Sequence, residues 1–253
     1  MRRIVGARGV ADEVRQEPLT VMIVIATFAL TVNGTAIANE QEIALVEEAA
    51  SRVELDFRDR WFFERVFVDD GVSWHSTSDP RRDLDQREEL ISVNGNEPTD
   101  KEHDEFAKRV EEGNAARQKD REAGNESILS MVEVSTLKLI DESDAKWIFA
   151  FQPTADTEED REFMAYMAGR LTVVKNGRYI EQLLIQSETS FKPRTGVKID
   201  AFSLDMRFEP VGDGQYVLPQ SIDTRITGKA FMIADLDQEQ KVVFSNYRLA
   251  ARD

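Results

Sequence analysis

Apolar positions follow two rhythms along the chain. From Glu40 to Val53 the spacing is helical. Ile43, Val46, Ala50 and Val53 share one face and glutamates occupy the other, which predicts an amphipathic helix that needs a sheet to cover. From Leu55 the rhythm shortens towards two. Phe57, Trp61, Phe63 and Phe67 predict a strand reaching Val68. Asp69-Asp70-Gly71 predicts a turn, and Val72-Ser73-Trp74 begins a return strand that Asp79-Pro80 ends. Ser127 to Leu139 and Trp147 to Phe151 repeat the strand pattern around a turn at 141–144. Thr157, with Asp160 three residues on, predicts the cap of a short helix whose Phe163, together with Met167, would plug one end of the sheet.

The strongest local signal is Lys175-Asn176-Gly177-Arg178, between Leu171–Val174 and Arg178–Gln186. Asn-Gly tolerates the two positive φ angles of a type I′ turn, so a β-hairpin is predicted. Val197-Lys198-Ile199 runs on into Phe202, Leu204, Met206 and Phe208. The apolar phase slips by one residue near Ala201, as a bulge requires. Gly212-Asp213-Gly214 predicts another turn. Pro219 within Tyr216–Ile226 suits an edge or a bulge. Gly228 separates that strand from Lys229–Leu236, and Asp237-Gln238-Glu239 turns into Val242-Val243-Phe244 and Tyr247. Edges near Leu218-Pro219 or Trp74 are candidates for pairing with a second chain. The pattern predicts roughly nine to eleven strands with few helices, an antiparallel sheet with helices on one side and an α+β fold class.

Pro80 to Gly124 differs in kind, being dense in charge and poor in aliphatics. Glu89 to Val93 predicts a short strand before the turn Asn94-Gly95-Asn96. The capping pair Thr99/Glu102 then opens a helix from Asp100 to about Glu122, expected to fray near Gly113-Asn114. With only Phe106, Val110 and a few alanines to bury, this insert reads as a solvated face. The sharper alternative is a lid or a partner-docking element.

The N-terminus changes the picture of where the protein works. Arg2, Arg3, Arg8 and Arg15 precede an apolar run from Leu19 to Val32, followed by Thr35-Ala36-Ile37-Ala38. That is the form of a signal peptide, with cleavage expected after Ala38, and the run is short for a membrane span of roughly 20 residues. The division is therefore residues 1–38 as signal peptide and 39–253 as one domain with the charged insert at 80–124. No span remains after cleavage, so the mature chain is expected not to be an integral membrane protein. The formal charge of −16 without a basic run argues against nucleic acid as a partner. The chain has no cysteine, which excludes disulfides and thiol chemistry, and its two histidines are His75 and His103.

No nucleophile elbow, phosphate loop, dinucleotide fingerprint or zinc-protease motif is present. Asp235, Asp237 and Glu239 lack the glycine turn and distal glutamate of a calcium loop. Asp156, Glu158, Glu159, Asp160 and Glu162 are explained by the dipole at a helix start. No catalytic residue, metal ligand or cofactor is assigned, and the reading is non-enzymatic. Leu183, Ile185, Phe202, Leu204, Met206 and Phe208 place large apolar side chains on adjacent predicted strands. They form either core beneath the helices or a groove for an acyl chain or apolar peptide. Each buried methylene is worth about 0.8 kcal/mol, so a dozen would gain of order 10 kcal/mol before ordering costs.

The order of signal peptide, helix, strands, helical insert, strands, short helix and hairpins resembles the LolA/LolB/RseB superfamily of exported bacterial proteins. So do Gly169-Arg170-Leu171 leading to Asn176-Gly177, then Leu218-Pro219, Gly228-Lys229 and Ser245-Asn246-Tyr247. The resemblance implies a half-open antiparallel β-barrel with an N-terminal helix and inserted lid helices, a periplasmic location and a hydrophobic ligand: a lipid, an acyl chain or a lipoprotein. An envelope sensor or scaffold that meets a protein partner through the charged insert is the alternative. A carboxylate-based hydrolase ranks below both.

Overall fold

Asn39 starts the first element by capping it. Its Oδ1 accepts the N–H groups of Gln41 and Glu42, while Glu42 Oε2 accepts the Asn39 N–H at 2.8 Å. In this computed structural model, which describes residues 38–122, 127–155, 157–230 and 234–250, helix α1 then runs Glu40–Ser51 and buries Val46, Ala49 and Ala50. The segment read as a signal peptide lies, up to residue 37, outside the described residues.

A 3₁₀ turn at Phe57–Asp59 delays the first strand, so Leu55–Phe57 is not strand as the spacing predicts. The strands and helices that follow are β1 Trp61–Asp69, β2 Val72–Ser78, β3 Glu88–Val93, α2 Asp100–Glu122, β4 Val132–Glu142, β5 Lys146–Pro153 and α3 Glu158–Met164. Next come β6 Met167–Val174, β7 Tyr179–Ser187, β8 Phe191–Arg194, β9 Val197–Val211, β10 Tyr216–Ala230, β11 Ala234–Asp235 and β12 Gln238–Leu249. The architecture is α+β: one sheet, antiparallel at every pairing, ordered β3-β2-β1-β12-β10-β9-β7-β6-β5-β4, with β8 on β9 and β11 on β10. Among the described residues its two ends do not meet, and there are three α-helices.

Paired residues in an antiparallel sheet point to the same face. Following the pairs from Leu139 gives Phe149, Leu171, Leu183, Met206, Ile222, Val242, Phe67, Trp74 and Val93. One apolar residue from each strand of the main path thus forms a row across the sheet. Both long helices lie on this face. The α1 residues Val46, Ala49 and Ala50 join the core with Phe149, Leu171, Leu183 and Met206. Phe106 of α2 joins Trp74, Leu90 and Val93 at the other end. Between them Phe57, Trp61, Phe63, Leu218 and Phe244 form an aromatic cluster, with Phe57–Phe63 and Phe57–Phe244 ring centroids 5.0 and 5.3 Å apart.

Several local expectations change on contact with the structure. The Asn176-Gly177 hairpin forms, but its loop spans four residues and the left-handed positions are Gly177 and Arg178, so it is not a two-residue type I′ turn. Two-residue turns with both φ angles positive occur at Asp70-Gly71, between the paired Asp69 and Val72, and at Asn94-Gly95, between the bridged Val93 and Asn96. Strand β10 runs through Gly228 rather than ending there. A Cβ on Gly228 would sit 2.3 Å from the Lys198 carbonyl oxygen, so the residue admits a close approach of backbone. Opposite it Asp200 bulges out of register, the predicted slip near Ala201. Pro219 also sits at a bulge; here β10 ladders to β9 alone, since β12 pairs with it only from Ser221 onward, but Val53 bridges Val217 and both Leu218 and Pro219 are buried, so the segment is not an exposed edge. Trp74 is likewise interior, on β2 between β1 and β3. Helix α2 is continuous through Gly113-Asn114.

The aromatic cluster makes stability pH-dependent on the alkaline side. The Tyr247 hydroxyl donates to the Pro219 carbonyl at 2.5 Å. Burial, with the charge of Glu209 adding to it, pushes this hydroxyl above the usual tyrosine range. The unfolded chain loses that proton near pH ~10 while the folded chain keeps it. The contribution is therefore complete below about pH 10 and is lost as pH rises beyond it. Urea midpoints measured upward from about pH 9 should fall. Tyr247→Phe should flatten that fall while costing roughly 1 kcal/mol at neutral pH. An unchanged slope would assign the effect to other groups, such as Tyr179, which burial also raises.

Candidate functional site

The six residues singled out as an apolar surface are brought together. Leu183 pairs with Met206 and Ile185 with Leu204, and the two-residue period of β9 puts Phe202 and Phe208 on the same face. They are not equally covered. Leu183 and Ile185 are 0% exposed, Phe208 3% and Met206 8%, all within the core that includes α1. Phe202 and Leu204 are half-buried at its margin. Phe163 of α3 closes on Phe202 edge to face at 5.4 Å.

Exposure along the cross-strand row defines the rest of this surface. Phe149, Leu171, Leu183 and Met206 are buried on the α1 side, and Trp74 and Val93 are buried beneath α2. Ile222 and Val242 between them are half-buried, as is Phe67, over whose ring Arg109 of α2 stands at 5.6 Å. Ile226, paired with Phe202, and Leu204 extend the half-buried strip sideways. The sheet thus carries an apolar strip between its two helices, and Ile222, Ile226 and Val242 belong to it although the sequence reading omitted them. Their alternation on β10 and β12 is visible in the sequence. Their neighbours are not, because β10 and β12 pair across a turn whose register no single residue specifies.

A second concentration of chemistry lies under α2. Glu88, with 5% of its side chain exposed, is met by Arg58 at 2.7 Å, Arg65 at 2.6 Å and Arg117 at 4.0 Å. Asp59 bonds to Arg87 and to Arg121, and Arg121 also reaches Asp56. Arg58 stacks 5.9 and 5.6 Å from the Phe57 and Phe63 ring centroids. Burial, opposed by Glu88 and reinforced by Arg65 and Arg117, pushes its guanidinium down to about 9. Burial works to raise the Asp59 carboxyl, but hydrogen bonds from Arg121 and Arg87 hold it below the usual range. The Nε atoms of Arg65 and Arg87 are buried without a partner. An unpaired buried donor costs ~1–3 kcal/mol. A cavity of about 360 Å³ opens here, lined by Arg58, Arg87, Arg117 and Arg121 together with Asp59, Glu88 and Glu111. It shares Leu84, Glu88, Glu111 and Asn114 with a groove of about 880 Å³ along α2. The cluster draws on the 3₁₀ turn, β1, the loop before β3 and α2, so no linear motif announces it.

The remaining candidates stay apart. His75 Nε2 lies 3.5 Å from Glu64 Oε2 on the sheet, and His103 lines the α2 groove. Thr157 caps α3 by accepting the Asp160 N–H, which places Glu158 and Asp160 in the first turn of the helix, where its dipole favours them; Asp156 lies outside the described residues. Asp237 accepts the Gly228 N–H at 3.2 Å and Asp235 faces Lys229 at 3.7 Å. Among the described residues no group of three His, Asp or Glu side chains is placed to hold a metal ion, and no helix is long and apolar enough to cross a membrane. No protein-family model, curated protein or solved structure matches this chain.

Proposed function

We propose that this chain is an exported, periplasmic, non-enzymatic binding protein for a hydrophobic ligand, with its sheet curled into a half-open barrel of the LolA/LolB/RseB kind. The observation that carries the reading is the half-buried strip of Ile222 and Val242 between the α1-covered part of one apolar face and the part that α2 covers from Phe67 outward. Phe202, Leu204 and Ile226 beside it supply further area. Leu183, Ile185, Met206 and Phe208 form the floor on which α1 rests. An acyl chain or apolar segment laid along the strip would remove this area from water at about 25 cal/mol per Å².

Export rests on the basic start, the short apolar run and the Ala36-Ile37-Ala38 end. Cleavage after Ala38 would forfeit the Ala38 N–H bond to the Leu137 carbonyl, 2.8 Å long. It would also place a new amino group at Asn39, beside the Glu42 carboxylate that already accepts there. Native mass spectrometry of the protein purified from its own envelope tests both points, followed by solvent extraction. A mass beginning at Asn39 with a co-purifying lipid or acylated species is the expected result. A bare mass, with delipidated protein that takes up no fluorescent apolar probe, would end the carrier reading.

One observation favours a second reading, in which the insert meets a protein partner. Helix α2 packs through Phe106 and Val110, and charged residues dominate the rest of its surface. Loss of partner capture on exchanging its exposed charges, with the ligand retained, would select that reading.

A further inference from the structure

The geometry points to an anion site beneath α2: the cavity edged by Arg58, Arg87, Arg117 and Arg121 is built to take a dianionic phosphate group, as a phosphomonoester or as a lipid headgroup. This site is separate from the apolar strip and does not rest on the ligand proposed there.

The argument is one of local charge. Among the described residues, Arg58, Arg65, Arg87, Arg117 and Arg121 are gathered around three carboxylates, Glu88, Asp59 and Asp56. Glu111 at the rim makes a fourth, and the guanidiniums still outnumber the carboxylates. Arg58, Arg65 and Arg87 keep only 16–17% of their side chains exposed, so water discharges them poorly. A chain with a formal charge of −16 has carboxylates to spare for neutralising such a cluster, yet Arg58, Arg65 and Arg117 share the single carboxylate of Glu88. Arg117 is the least committed of them. It bonds to the neutral Asn114 amide and stands 4.0 Å from Glu88. Arg87, which lines the cavity, also keeps a buried, partnerless Nε–H group.

A guanidinium presents paired N–H groups that match the oxygens of a phosphate. A phosphomonoester carries a charge approaching −2 at neutral pH. The cavity volume of about 360 Å³ exceeds what the phosphate alone needs and continues into the larger groove, where Leu84, Phe106 and Val110 offer an apolar wall for the esterified part. Arg117 and Arg121 come from α2 and the other arginines from the body, so the bound group would also clamp the second half of this helix.

The test titrates the full mature chain with sodium phosphate at about pH 8, where most inorganic phosphate as well as its monoesters are dianionic, against sodium chloride of equal ionic strength. Affinity comes from calorimetry and α2 protection from hydrogen exchange. Expected are saturable binding to phosphate over chloride, and slowed exchange from Asn114 to Arg121. Arg117→Gln should weaken binding about tenfold, the loss of one charge-assisted contact. Arg109→Gln, the same charge change on the same helix but outside the cavity, should leave it unaltered. Glycerol 3-phosphate and phosphatidylcholine vesicles with and without phosphatidate then distinguish the source. Preference for glycerol 3-phosphate assigns a small soluble ester, and selective retention on phosphatidate vesicles assigns a headgroup. Response to phosphate alone assigns the free anion. No response beyond chloride with any of the three, or equal weakening in the two variants, overturns the site.

Discussion

Replacing Glu88 with glutamine should lower the unfolding free energy by about 3 kcal/mol, the largest effect expected from any single polar change in this protein. The volume hardly changes, so the loss is electrostatic. The glutamate carries the one negative charge shared by Arg58 at 2.7 Å, Arg65 at 2.6 Å and Arg117 at 4.0 Å. An amide oxygen can still accept one hydrogen bond, but three guanidiniums are left facing one another. Breaking a buried pair from one side costs ~3–5 kcal/mol, and the low end applies because the cavity beside Glu88 admits water. For a chain of this size that is a melting-temperature drop of roughly 6–12 °C. Urea unfolding with an unchanged denaturant slope would show that stability, not the unfolded state, has moved. A loss under 1 kcal/mol would mean that the guanidiniums are hydrated and that Glu88 is not their hub. Phosphate should restore part of the loss if the anion site exists, because the variant carries still more uncompensated positive charge.

The second large effect separates floor from groove on the apolar face. Leu183→Ala should cost ~2–5 kcal/mol, since Leu183 is completely buried beneath α1 and the cavity left behind adds to the lost transfer energy. Leu204→Ala, one pair along on β9 but half-buried, should cost only about 1 kcal/mol by area. On the proposed carrier reading, retention of an apolar ligand should show the opposite order once stability is allowed for: weakened by Leu204→Ala and little changed by Leu183→Ala. Chemical denaturation and extraction of co-purified apolar material read the two quantities separately. Equal stability losses would place Leu204 in the core as well. Unchanged retention in Leu204→Ala would remove it from the ligand surface.

Local chemistry made much of the fold legible. The Thr99/Glu102 pair predicts the start of α2, and the structure makes those bonds: Glu102 Oε2 accepts from Thr99 at 2.7 Å. The phase slip near Ala201 predicts the bulge opposite Gly228, because side-chain alternation reports register directly. Gly228 itself misleads. A glycine in a strand pattern reads as a break, whereas here its missing side chain makes room for the Lys198 carbonyl. The six apolar residues on β7 and β9 are legible as one face, but which of them α1 covers is not, since that depends on where a distant helix docks. The arginine cluster is the least legible element. Its members come from positions 58, 65, 87, 117 and 121, and no spacing rule links a 3₁₀ turn to the far end of an inserted helix.

The pairing of β1 with β12 has a consequence for how the chain reaches this state. Trp61 lies against Leu249 and Phe67 against Val242, so the first strand finds its inner neighbour only in the last strand. The β1–β2–β3 meander can assemble early, yet it stays a detached flap, with the polar groups on one side of β1 unpaired, until almost the whole polypeptide has been made. Contacts so remote in sequence fold slowly. Strand β1 is therefore the element expected to complete the sheet last, and its inner side stays open to pairing with another copy until β12 has docked.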